Sequence, residues 1–309
     1  MKLRHRLIGM VLVFWMVLGA VYWLRPGLFL DADFARQRWM AGLHLEHIEF
    51  DGQLWVYAEG GKGEPVVLVH GLAGSKENWY PTARYLDGYH LYVPDLSGFG
   101  ESENSPDGDY RVSTQVARLH AYVEALGLER FHLAGHSMGG HIAGVYAAEH
   151  PERVRSLSLV NSAGVPFPRN PFQAEVEGGG NPFVTPNLAR FDRFIALAFK
   201  HPPFAPPRVR AAYAARTAPR AELWGQVLKQ LIAEDQVYFL QTRLPELPAR
   251  TLVLWCEDDQ MLDVRSVDAF RAGLREPRIE VLPDCGHMTP MEAPKEAAAL
   301  LRAQFEQAE

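Results

Sequence analysis

The sequence predicts an α/β fold: a mostly parallel central sheet flanked by helices, with a helical cap inserted into it and a transmembrane helix ahead of it. Three observations carry this expectation. From about Leu43 onward, short apolar runs rich in β-branched residues alternate with helical patterns. One stretch of roughly 80 residues, Pro166 to Leu244, has no strand signal and holds about ten of the 22 prolines. The first two dozen residues form a basic flank followed by an uncharged apolar run.

The N-terminal element comes first. Lys2, Arg4 and Arg6 precede LIGMVLVFWMVLGAVYWL, residues 7–24, which Arg25-Pro26 closes. As a helix this run is roughly 27 Å long, close to the ~30 Å hydrocarbon core. Tyr22 and Trp23 fall where an interfacial aromatic belt belongs. The rival reading is a cleaved signal peptide, whose only candidate site, Leu18-Gly19-Ala20, has a poor residue at −3. An uncleaved single-pass anchor over 1–25 is the expectation. Arg25, Arg36 and Arg38 nearly balance the charge across the span. The early basic residues tip the expectation toward an extracytoplasmic catalytic domain.

The strands follow. HIEFDGQLWVYAEG reads as a hairpin turning at Asp51-Gly52. PVVLV (65–69), LYVP (91–94), FHLA (131–134), VRSLSLV (154–160), TLVLW (251–255) and RIEVL (278–282) are short and not strictly alternating, the pattern of strands buried on both faces. Residues 40–165 and 245–309 are therefore the expected core and 166–244 the cap, since so long an insertion most simply covers a site. Within the cap, Thr185-Pro186 is expected to open a helix with Leu188, Phe191, Phe194, Ile195 and Ala198 on its apolar side. AELWGQVLKQLIAEDQVYFL is expected to form another.

Composition narrows the function. Hydrophobic residues at 48% and charged residues at 22% describe a folded globular chain. A net charge of −6 argues against a nucleic-acid binder, which needs a basic face. Two cysteines exclude a CxxC-type zinc site, and no phosphate-binding glycine fingerprint is present, so no metal or cofactor is expected.

The chemistry lies in Gly135-His136-Ser137-Met138-Gly139-Gly140, directly after one strand run and before a helical one. A G-x-S-x-G turn needs its glycines because a Cβ would crowd a serine held up above the sheet. A serine hydroxyl needs a base, and His287, in the glycine-containing loop after the last strand, is the candidate. His70 and His136 are expected to brace their own loops. The base needs a carboxylate to fix its tautomer, for which Asp259 is the candidate and Asp258 its rival; Asn161-Ser162, after the preceding strand, lacks the charge. The oxyanion hole is expected from the N–H groups of Met138 and of Leu72 in HGLAG.

The order Ser137, Asp259, His287 is the α/β-hydrolase order. HGLAGSKENW, DLSGFGES, GHSMGGHIAGVYAAEHPERV, the V-N-S-A-G stretch, LWCEDDQMLD and CGHMTPMEAPKE resemble that superfamily's blocks, and with the preceding span they resemble its membrane-anchored, monoacylglycerol lipase-like branch. The resemblance implies a serine hydrolase of carboxylic esters, with a lipid-like substrate favoured by the anchor and by Phe167, Phe172, Phe183, Phe191, Phe194, Phe199 and Phe204 of the cap. Cys256 stands where the family usually has glycine. One alternative is a carbon–carbon hydrolase of anionic dienoates, with Arg190, Arg193 or Arg216 facing inward. Another is a catalytically silent binding protein. Finally, the loops carrying Asp259 and His287 must meet, which brings Cys256 and Cys285 close together. Two buried free thiols are the plainer expectation and a disulfide the sharper one.

Overall fold

The computed structural model describes residues 2–248 and 250–307. The side chains of Lys2 and Leu3 lie outside that description, so only Arg4 and Arg6 of the basic flank are described.

Eight strands form one sheet: β1 (Leu43–Phe50), β2 (Gln53–Gly61), β3 (Glu64–Val69), β4 (Tyr89–Pro94), β5 (Phe131–His136), β6 (Val154–Val160), β7 (Leu252–Cys256) and β8 (Arg278–Leu282). Their order is β1-β2-β4-β3-β5-β6-β7-β8, with β1–β2 and β2–β4 antiparallel and every other pairing parallel. The expected hairpin is present, with Asp51 and Gly52 both at positive φ in its turn. Each expected strand run forms a strand. Side chains alternate across the pleat: Val67 and Val69 of β3 enter the core layer beneath Tyr122 and Ile142, while Val66 and Leu68 enter the opposite layer with Trp79, Leu301 and Phe305. Both faces are dry, which explains the continuous apolar runs.

Helices α1 (Lys2–Leu24), α2 (Gly27–Met40), α3 (Tyr80–Ala83), α4 (Val112–Ala125) and α5 (Met138–Glu149) precede the cap. The cap itself carries α6 (Pro171–Glu177), α7 (Leu188–Ala198), α8 (Pro207–Thr217), α9 (Ala221–Leu231) and α10 (Phe239–Arg243), and α11 (Ser266–Gly273), α12 (Thr289–Glu292) and α13 (Pro294–Glu306) follow it. Among the described residues α1 is the one helix long and apolar enough to cross a membrane, and none of its span is buried.

Three local expectations are corrected. The helix expected to open at Thr185-Pro186 starts at Leu188, because the Asn187 side chain accepts the Arg190 N–H and caps it there. The single helix expected over 221–240 breaks after Leu231, and Gln236 turns back so that its side-chain oxygen accepts the Val112 N–H. Residues 27–40, for which no element was expected, form α2. None of its side chains is buried, so no apolar stripe announced it.

Candidate active site

Ser137 sits in the turn between β5 and α5 with φ +57° and ψ −120°, outside the regions an L-residue prefers. The surrounding hydrogen bonds impose this. The Ser137 N–H donates to the Val160 carbonyl at 3.0 Å, and its own carbonyl accepts from Gly140, His141 and Ala163. The flanking glycines are required by space: a Cβ at Gly135 would lie 2.1 Å from the Gly139 oxygen, and one at Gly139 2.4 Å from the carbonyls of Val69 and His70.

The loop after β7 meets the loop after β8. His287 Nδ1–H donates to Asp259 Oδ2 at 2.8 Å, which leaves Nε2 as the basic nitrogen. The other oxygen of Asp259 accepts the N–H groups of Met261 and Leu262, each at 2.9 Å. Asp258, the rival, points away and pairs with Lys200 at 2.6 Å. Cys256 and Cys285 form a disulfide with Cα atoms 5.2 Å apart, so the two free thiols of the plainer expectation are not found. The reason is the pairing of the two loops: Cys256 lies beside Leu282 in the ladder, and the Asp258 N–H donates to the Cys285 carbonyl at 3.1 Å.

Two residues were missed from the sequence. Asn161, at positive φ just after β6, donates through Nδ2 to Asp259 Oδ2 at 2.8 Å and accepts the Thr289 hydroxyl. Its place after the preceding strand is a signal in the sequence, but its lack of charge disqualifies it as the acid and hides its role as a donor. His141, one helical turn beyond Ser137, lines the cavity and accepts the Leu240 N–H at Nε2 at 3.2 Å. Burial lowers its pKa to about 3, so the ring is neutral.

His70 and His136 brace loops. His70 Nε2 accepts the Leu96 N–H at 3.0 Å and Nδ1–H reaches the Gly71 carbonyl at 2.8 Å, with burial holding its pKa at about 4. His136 Nε2–H donates to the His287 carbonyl at 2.8 Å, and burial lowers its pKa to about 3. The buried Lys76 ammonium, 2.7 Å from both Asp95 and Glu101, ties the loop after β3 to the loop after β4.

Ser137, His287, Leu72 and Met138 all line one cavity of about 300 Å³. Met138 is the first residue of α5, where an N–H has no acceptor one turn back. The walls come from the cap and the loop after β7: Phe167, Phe172, Phe183, Leu228, Val237 and Met261 among them. Of the seven phenylalanines named for the cap, three line this cavity. Phe191 meets Tyr213 edge to face, Phe194 lies behind Phe183, Phe199 is buried in the core on that face of the sheet, and Phe204 is 93% exposed.

The family model of the alpha/beta hydrolase fold matches residues 64–294. The chain belongs to the α/β-hydrolase fold family. It is a serine-hydrolase-fold enzyme of the esterase and lipase type, related to several of that family's branches. Lipase 1 of Psychrobacter immobilis is 36% identical over 253 residues, covering 80% of this chain and 79% of that protein. Monoacylglycerol lipase abhd6-A of Xenopus laevis is 29% identical over 280 residues, covering 84% and 81%. The crystal structure of a membrane phospholipase A, a bacterial virulence factor, superposes with a TM-score of 0.88 at 34% identity and covers 99% of each chain.

Proposed function

We propose that this α/β-hydrolase is a membrane-anchored serine hydrolase of neutral lipid esters, of which monoacylglycerols are the type. One observation carries the reading. Ser137 opens into an apolar cavity that also receives His287, and His287 is held by Asp259. Ser137 Oγ attacks the acyl carbon while His287 Nε2 takes its proton. Asp259 keeps the Nδ1–H tautomer and stabilises the imidazolium. The N–H groups of Leu72 and Met138 receive the oxyanion. His287 then gives the proton to the leaving alcohol, and water repeats the cycle on the acyl-enzyme to release the acid and free Ser137.

The lining favours an uncharged substrate. Among its described residues none is Lys or Arg, and its one carboxylate is Glu177. An anionic headgroup or dienoate would meet no counter-charge there. The arginines named for the carbon–carbon alternative are engaged elsewhere: Arg190 and Arg193 with Glu175, Arg216 with Asp31. The names of the relatives, lipase, monoacylglycerol lipase and membrane phospholipase A, support lipid esters as a class. The apolar α1 supports anchoring, and the disulfide supports a catalytic domain on an oxidising side of the membrane.

A panel of monoacylglycerols, lysophospholipids, p-nitrophenyl esters of rising chain length and one dienoate tests this. Monoacylglycerols are expected to give the highest kcat/KM. A lysophospholipid or the dienoate turned over at least about tenfold better would overturn the substrate class.

A further inference from the structure

Phe204 is the most exposed large apolar residue among those described, and it belongs neither to the two hydrophobic cores nor to the active-site cavity. It sits at the apex of His201–Pro207, HPPFAPP, a segment without regular structure through residue 206. Both ends of this segment are pinned. At one end the backbone N–H groups of Lys200 and His201 donate to Glu292 at 2.9 and 2.8 Å, and the His201 ring meets Asp284 at 2.9 Å. At the other end Arg208 stacks its guanidinium 3.7 Å from the Trp23 ring and donates to the Trp23 carbonyl at 3.0 Å. Further along α8, Arg216 pairs with Asp31 at 2.7 Å and the Tyr213 ring meets Phe34.

Trp23 is the penultimate residue of α1, so Arg208 marks the level at which the apolar span ends. Phe204 is four residues away, and four extended residues reach about 14 Å at most. The loop therefore stands beside the end of the span. Its chemistry suits a lipid interface. Four of its seven residues are prolines, which carry no N–H to strip of water, and their fixed φ leaves little entropy to lose.

We propose that the loop 201–207 is a second membrane contact, with Phe204 inserted into the interfacial layer of the bilayer that holds α1. This rests on reading α1 as a membrane span. A single span, docked on α8 as it is, does not by itself fix the tilt of the molecule in the bilayer; the Phe204 contact sets the cap against the lipid surface from which an acyl chain must enter.

The test uses the full-length enzyme in phosphatidylcholine–phosphatidylglycerol vesicles. Because both native cysteines are in the disulfide, F204C, F14C and E129C can each be labelled with a thiol-reactive NBD dye. Residue 14 lies in the span, and Glu129 is an exposed residue at the opposite end of β5 from Ser137. Nitroxide lipids are expected to quench the label at 204 from the shallow position and at 14 from the deep position, and to leave 129 unquenched. Quenching at 14 with 204 behaving like 129 would overturn the loop contact and leave the anchor standing. No quenching at 14 would overturn the anchor, and the loop contact with it. A blue-shifted but unquenched label at 204 would mean that protein, such as a second copy, covers Phe204, and would also overturn the proposal. In parallel, F204D is expected to lower the ratio of vesicle-borne monoacylglycerol to water-soluble ester turnover by about fivefold or more, with F204L keeping it. An unchanged ratio in F204D would contradict the contact.

Discussion

Asn161 offers the sharpest probe of how the Asp–His pair is held. Asp259 receives four donors: Met261 and Leu262 N–H on one oxygen, His287 Nδ1 and Asn161 Nδ2 on the other. Asn161→Ala removes one of the two that fix the oxygen facing the base. A hydrogen bond to a charged group is worth about 1.5–3 kcal/mol. If between two-thirds and all of that energy holds the productive orientation, kcat falls between about fivefold and about 150-fold. KM is expected to stay put, because Asn161 does not line the cavity. Asn161→Asp sharpens the test. Two carboxylates 2.8 Å apart repel when both are ionised, but a protonated carboxyl in place of the amide donates as the amide did. Relative to the unmodified enzyme, that variant should therefore regain activity as pH falls and lose it as pH rises. Steady-state turnover of a water-soluble p-nitrophenyl ester between pH 5 and 9, with thermal melts as a folding control, measures both. Folded Asn161→Ala with kcat within about twofold of the original, or an Asn161→Asp ratio flat in pH, would refute the positioning argument.

Three further outcomes are expected. Asp259→Asn should cost roughly three to four orders of magnitude in kcat, while Asp258→Asn, which removes only the exposed pair to Lys200, should cost less than about threefold; the two kinetic constants compared side by side decide it. His70, His136 and His141 are buried with pKa values lowered to about 4, 3 and 3, so the unfolded chain binds protons that the folded chain refuses as pH falls from about 6.5 toward 4. Stability should thus be full above about pH 7 and decline through that window, read as a falling Tm; a Tm constant from pH 7.5 to 5 would contradict it. Replacing both Cys256 and Cys285 by Ala releases a loop closed across 29 residues, worth about 3–4 kcal/mol on chain entropy, and urea melts should show a loss of that order with the ester activity reduced.

The centre of the sheet was readable from the sequence because β3, β5, β6 and β7 are buried on both faces, which leaves uninterrupted apolar runs such as PVVLV and TLVLW. The edge strand β8 departs from the expected double burial, being half-buried with Val281 exposed. The turn at Ser137 was readable because the space beside residues 135 and 139 admits glycine alone. The contributions that were not readable share a cause: they depend on which atom faces which. Naming the cap phenylalanines did not tell the three at the cavity from Phe204, which no other side chain covers. Asn161 stands in the V-N-S-A-G stretch but carries no charge, so its bond to Asp259 appears only when β6 is laid beside β7. The α7 boundary turned on one side-chain oxygen, that of Asn187. The cysteine spacing indicated proximity, but the pairing follows from the β7–β8 register.

The central claim is that Ser137 is the nucleophile, and covalent capture tests it most directly. Full-length enzyme treated with a fluorophosphonate should gain one adduct per chain, located by peptide mass spectrometry on the segment containing Gly135-His136-Ser137, with ester turnover lost in step. Ser137→Ala should melt close to the original, take up no label and show no turnover. An adduct on a different residue, or a Ser137→Ala enzyme that still cleaves esters, would contradict the account.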